Sequence, residues 1–169
     1  MFKVGEKVFY PFHGAGEIQQ IEEKEVLGEK RTYYVIRFPL TETTIMVPSD
    51  NTMELGLRFI SEQIDIKKCL ELLSSDQLET DEDWKVRYKK HQDMLKSGTI
   101  REVSLVIKNL FHRNQIKELS STEKKLYNSA LSMLVSEIAL AIGKDQEEVK
   151  SEIFRLLENV KKEELVENP

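Results

Sequence analysis

Trp84 is the only tryptophan of the 169-residue chain, and Lys85, Arg87, Lys89 and Lys90 follow it within six positions. An indole stacks on or wedges between bases, while ammonium and guanidinium groups neutralise phosphate, so this combination is the chemistry of nucleic-acid contact. The same residues admit a plainer reading. Large aromatics are mostly at least partly buried, and the ring would then anchor a helix start in the core, with the cations as a solvated face. On this stretch alone the buried reading is favoured. Either way the local structure is the same: Thr80 and Asp83 stand at capping-box spacing, which puts Trp84 in or just after the first turn of a helix.

Other reactive residue types are scattered. His13, His91 and His112 lie far apart, and none stands with Cys69 or a carboxylate at ligand spacing, so no metal site is expected. His13-Gly14-Ala15-Gly16 reads as a tight turn between strands. Gly14 and Gly16 lack the third glycine and the following helix of a phosphate loop. No nucleophile elbow or acidic metal cluster appears, so no cofactor or catalytic residue is expected, and binding is the better class of reading than catalysis. The lone Cys69 allows no intramolecular disulfide and fits a reducing cytoplasm. The opening Met1–Lys7 lacks the apolar run of a secretory signal, and no stretch approaches the length of a membrane span. A cytoplasmic monomer without membrane contact is the expectation.

The net charge of −5 argues against indiscriminate binding to nucleic acid, but the charge is unevenly placed. Residues 1–83 carry 9 Lys+Arg against 17 Asp+Glu, residues 84–125 carry 11 against 4, and residues 126–169 carry 5 against 9. A basic block between acidic flanks is an electrostatic footprint that the total conceals. A basic helix pair that merely neutralises its neighbours would give the same numbers.

The elements that position these residues fall into two sets. Lys7–Tyr10, Gly16–Glu22, Arg31–Phe38 and Thr43–Val47 are rich in β-branched and aromatic residues and are divided by Pro11, Gly14, Gly28 and Pro39, which predicts a small, strongly bent antiparallel barrel. A core that small gains from packing against the next domain or a partner. After Asn51 the pattern turns helical. Ile64, Cys69, Leu70, Leu72 and Leu73 give a short amphipathic helix; the Trp84 helix closes at Ser97-Gly98; capping boxes at Thr99/Glu102 and Ser120/Glu123 open two more; and Asp145/Glu148 begins the last. The fold class is α+β, with a β domain at 1–55, an all-α domain at 60–160 and a charged, fraying tail at 161–169.

In order along the chain, Val4-Gly5-Glu6-Lys7-Val8-Phe9-Tyr10-Pro11-Phe12-His13-Gly14-Ala15-Gly16, Thr44-Ile45-Met46-Val47-Pro48, Trp84-Lys85-Val86-Arg87-Tyr88-Lys89 and Leu119-Ser120-Ser121-Thr122-Glu123-Lys124-Lys125 resemble the CarD/CdnL family of bacterial RNA polymerase-binding transcription regulators. The opening motif alone would also suit the polymerase-interacting module of transcription-repair coupling factors; the tryptophan-bearing second half separates the two. The resemblance implies a Tudor-like β domain that docks on the polymerase β subunit, partly through its sheet edge. It also implies a helical domain that reaches promoter DNA at the upstream edge of the melted bubble. There the residue matching Trp84 is a minor-groove wedge, with Lys85, Arg87, Lys89 and Lys90 gripping the backbone. For the polymerase face the resemblance points to Lys24, Arg37 and Met46. Met46 stands where the family often has a basic side chain, so docking would lean on Lys24, Arg37 and backbone pairing. With the resemblance, the exposed-wedge reading of Trp84 becomes the preferred one. A protein-only adaptor, its basic block matched to an acidic protein, is the competing reading.

Overall fold

The computed structural model describes residues 1–76 and 83–167, with side chains through Val160. Thr80, residues 168–169 and the side chains of 161–167 lie outside the described residues, and with Thr80 the capping box expected there; the backbone of the stretch expected to fray continues the last helix to Glu167. The chain is α+β: strands β1 Lys7–Tyr10, β2 Gly14–Val26, β3 Glu29–Phe38, β4 Thr43–Pro48 and β5 Arg58–Phe59, then helices α1 Gln63–Ser74, α2 Trp84–Ser97, α3 Ile100–Ile116, α4 Ser121–Ile142 and α5 Gln146–Glu167. No single helix among the described residues is long and apolar enough to cross a membrane.

The strands form one antiparallel sheet in the order β4-β3-β2-β1-β5. A register shift between Ile18 and Gln20 bulges β2 and bends the sheet around Val8, Ile18, Tyr34, Ile36, Phe38, Val47 and Leu57. β5 departs from the helical pattern expected after Asn51. Two residues are too short for any alternation to register in sequence, and the β half reaches Phe59 rather than ending at 55.

Successive side chains of a strand point to opposite faces, and β1 uses both. Val8 enters the sheet's own core, whereas Phe9 belongs to the helical core with Leu73, Leu95, Val106, Leu110, Leu134 and Ile138. The helices therefore cover one face of the sheet, and two cores share one strand.

Across this seam the Ala15 N–H donates to the Ser136 hydroxyl at 2.9 Å, and that hydroxyl donates to the Met133 carbonyl at 2.8 Å. Gly14 is left-handed at φ +85°, and a Cβ there would run into the Ser136 side chain. Gly14→Ala combines a strained backbone with overpacking, so it should cost about 2–4 kcal/mol of unfolding free energy, read as a lower urea midpoint.

Candidate nucleic-acid interface

α2 begins at Trp84 because Asp83 caps it, its carboxylate accepting the Lys85 N–H at 3.0 Å, and it ends because Gly98 turns left-handed at φ +68°. The helix turns Arg87, His91 and Leu95 inward, a stripe at i, i+4, i+8. Trp84 stands on the same side of the helix, seven residues before His91 but at its first position, and is 54% exposed, with the Lys85 ammonium 5.9 Å from its ring centroid. The ring is not part of the core, which removes the buried reading. Lys85, Lys89 and Lys90 are exposed on the same helix, Lys89 within 3.6 Å of Asp93 at an ordinary solvated spacing.

Arg87 departs from the expected cationic surface. It is 6% exposed, and its guanidinium meets the Glu123 carboxylate, Nη2 at 2.7 Å and Nε at 3.0 Å from Oε1. Glu123 stands in the first turn of α4, its backbone N–H capped by Ser120 Oγ at 3.2 Å. The pair locks the tryptophan end of α2 to the start of α4. Residues three apart on a helix share a face, so the period does not separate Arg87 from Trp84; what separates them is that Arg87 meets Glu123 of α4 whereas the ring stands at the first position of the helix.

Trp84 forms one wall of a cleft of about 510 Å³, with Arg113 and Lys117 from the end of α3, and Ser120 and Thr122 from the start of α4, also lining it. The positive end of the α4 dipole and two cations thus face the same space as the indole, beside the Glu118 carboxylate, which is paired with Lys124. Arg113 and Lys117 were not singled out individually from the sequence; the signal for them was the basic block at 84–125.

Two reactive side chains of the helical core are enclosed. Cys69 is buried 2.8 Å from Ser104 Oγ, and burial pushes its thiol up to about 12. Lys108 is enclosed, its ammonium donating to the Leu72 and Ser75 carbonyls and the Ser75 hydroxyl, where it caps the end of α1. Among the described residues no group of His, Cys, Asp and Glu converges to hold a metal ion.

On the β half, register decides which side chains share a face. Arg37 pairs with Glu17 and Thr44, Val35 with Gln20 and Met46, Tyr33 with Glu22 and Pro48, and Arg31 with Lys24. Their odd-numbered β3 positions alternate with the buried Tyr34, Ile36 and Phe38, so Lys24, Arg37 and Met46 occupy the outward face. They are not adjacent. Lys24 pairs opposite Arg31, six residues and so about 20 Å along the ribbon from Arg37. Half-buried Tyr33, Val35 and Met46 fill the face between, and β4 is the outer strand of the sheet. Tyr33 and Val35 are additions that only the register supplies.

Residues 2–61 match the model of the CarD-like/TRCF RID domain, and residues 68–154 that of the CarD C-terminal domain. The putative transcription factor YdeB of Bacillus subtilis (strain 168) is 34% identical over 151 residues, 89% of this chain and 99% of that protein. The chain belongs to the CarD family. A solution NMR structure of the 72-residue N-terminal domain of Myxococcus xanthus CarD is also similar, 32% identical over 35% of this chain and 79% of its own, with a TM-score of 0.31. The RID domain is an RNA polymerase-interacting domain, and the role of this CarD-family chain is transcription-related. The family boundary between residues 61 and 68 falls after β5 and within the start of α1, so the strand missed in sequence belongs to the N-terminal unit.

Proposed function

We propose that this protein is a non-enzymatic, cytoplasmic transcription regulator that docks on the RNA polymerase β subunit and stabilises the promoter open complex. The outward face of β3 and β4, with Arg37, Met46, Tyr33 and Val35, meets the polymerase, and the outer strand β4 offers backbone groups for strand addition. Lys24 contacts it farther along the ribbon. The helical half reaches DNA at the upstream edge of the bubble. Trp84 wedges at an unstacked step, and Lys85, Lys89, Lys90, Arg113 and Lys117 hold phosphates. Arg87 keeps a share in this face by holding α2 in place. Only the melted state offers the wedge its site, and differential binding to one state is what shifts an equilibrium.

The observation that carries this reading is the exposed indole on the wall of a cleft that Arg113 and Lys117 also line. Docking supplies local concentration, so a net acidic protein needs no tight DNA grip of its own. A purified β-subunit fragment should retain the protein in a pull-down, and Thr44→Pro, which removes a backbone donor from β4, should weaken retention without unfolding the chain. Retention of the fragment with no salt-sensitive contact to fork DNA beside polymerase would leave the protein-only adaptor instead.

A further inference from the structure

Arg58 carries no signal in the sequence, yet the two halves of the molecule meet on its side chain. β5 pairs with β1 so that Arg58 stands opposite Phe9, and cross-strand partners share a face. The guanidinium is thereby laid 4.1 Å over the centroid of the Phe9 ring, on the side of the sheet that the helices cover. From there it reaches two helices at once. Nη1 and Nη2 donate to the two oxygens of Glu137 on α4 at 2.7 and 2.9 Å, and Nε and Nη2 donate to the Gly98 carbonyl at the end of α2 at 3.1 and 2.8 Å. Glu137, whose side chain is 1% exposed, also accepts the Ser61 N–H at 2.8 Å. Gly98 itself is pressed against the β1–β2 turn, a Cβ there lying 3.0 Å from Pro11 and 3.1 Å from Phe9.

We infer that Arg58, through Glu137 and the Gly98 carbonyl, is the positioning residue that sets the orientation of the helical body relative to the sheet, and with it the place where Trp84 is presented. The inference rests on the reading of the two faces under Proposed function and names the device that couples them. One attachment point would fix a distance; attachments on two different helices fix a direction. A planar guanidinium holds a carboxylate with both arms in a set geometry, which the single hydrogen bond from Ala15 to Ser136 does not. A buried ion pair is often no more stabilising than apolar side chains of similar volume, so what it adds is geometry.

The geometry matters because of leverage. α2 has 14 residues, so Trp84 lies about 21 Å from the Gly98 end, and a tilt of 10° about that end moves the indole by roughly 4 Å. That exceeds the spacing of about 3.4 Å between successive nucleotides. A loosened joint would leave both binding faces intact and still miss the step.

The test separates orientation from binding and from folding. Arg58→Met combined with Glu137→Met removes both charges together and strands no buried carboxylate. Arg58→Lys keeps the charge but donates from one nitrogen, and it cannot hold the carboxylate fork and the Gly98 carbonyl together. Spin labels on Thr41→Cys and Asp93→Cys report the distance between sheet and α2, the buried Cys69 staying unlabelled. The wild-type distribution should be narrow, the double Met variant broad and Arg58→Lys intermediate. Binding of the unlabelled variants to the β-subunit fragment and to fork DNA, measured separately, should be unchanged, while open-complex lifetime falls about tenfold in the double Met variant. A distribution as narrow as wild type overturns the proposal, and so does a broad one with full open-complex lifetime. If the wild-type protein lengthens no open complex, the proposed function fails, and the distance widths alone then uphold or overturn Arg58 as the joint.

Discussion

Trp84→Ala should leave the fold and polymerase docking intact and shorten the open-complex lifetime about tenfold. The ring is 54% exposed and belongs to neither hydrophobic core, so its removal opens no core cavity. Surface substitutions of this kind usually change stability by no more than about 0.5 kcal/mol. Stacking of one base on an aromatic side chain is worth about 1–3 kcal/mol, and each 1.4 kcal/mol is a factor of about ten, so loss of the wedge outweighs any effect on folding by a wide margin. Thermal unfolding, β-fragment retention and competitor-challenged open complexes would be measured on the same preparation. A lowered melting temperature together with lost retention would mean that the indole serves the fold, and the wedge would have to be given up.

The second large effect separates two cations only two positions apart. Arg87→Ala leaves the Glu123 carboxylate, 3% exposed, without its guanidinium, and breaking one side of a buried pair costs about 3–5 kcal/mol. That is a large share of the roughly 5–15 kcal/mol that keeps a typical domain folded. The loss should appear as a sharply lower denaturation midpoint, with the junction of α2 and α4 exchanging amide hydrogens first. Lys89→Ala touches only an exposed pair worth less than about 1 kcal/mol, so stability should hold. Its effect belongs in DNA contact: the slope of log affinity against log salt should shrink by about 0.9 for one phosphate lost on duplex DNA. Equal loss of stability in both variants would contradict the burial of Arg87.

The contrast between these cations marks where local pattern stops informing. Thr99 with Glu102 and Ser120 with Glu123 are capping pairs within four residues, and each hydroxyl accepts the expected N–H, at 3.2 Å in both cases. Gly98 and Gly143 end their helices in the left-handed region, as glycine allows. The first four strands appear with ends moved by only a few residues. By contrast, Arg87 reads as one cation among four because its partner lies 36 residues away, and Arg58 reads as nothing because Glu137 lies 79 residues away. β5 is a strand because it pairs with β1, a contact across the whole β half.

What the amino-acid order determined by itself is the set of elements, β5 excepted: where backbone dihedrals, caps and apolar periods over a few residues start and stop four strands and the helices, and that a lone indole opens a basic segment. What only the tertiary structure decided is which side chains those elements turn outward. Packing exposes Trp84 and encloses Arg87 on one helix, and it sends Val8 and Phe9 into different cores from one strand. The reason is that burial of a charge depends on finding its counter-charge in space, and that partner is fixed by helices and strands meeting, not by neighbours in the chain.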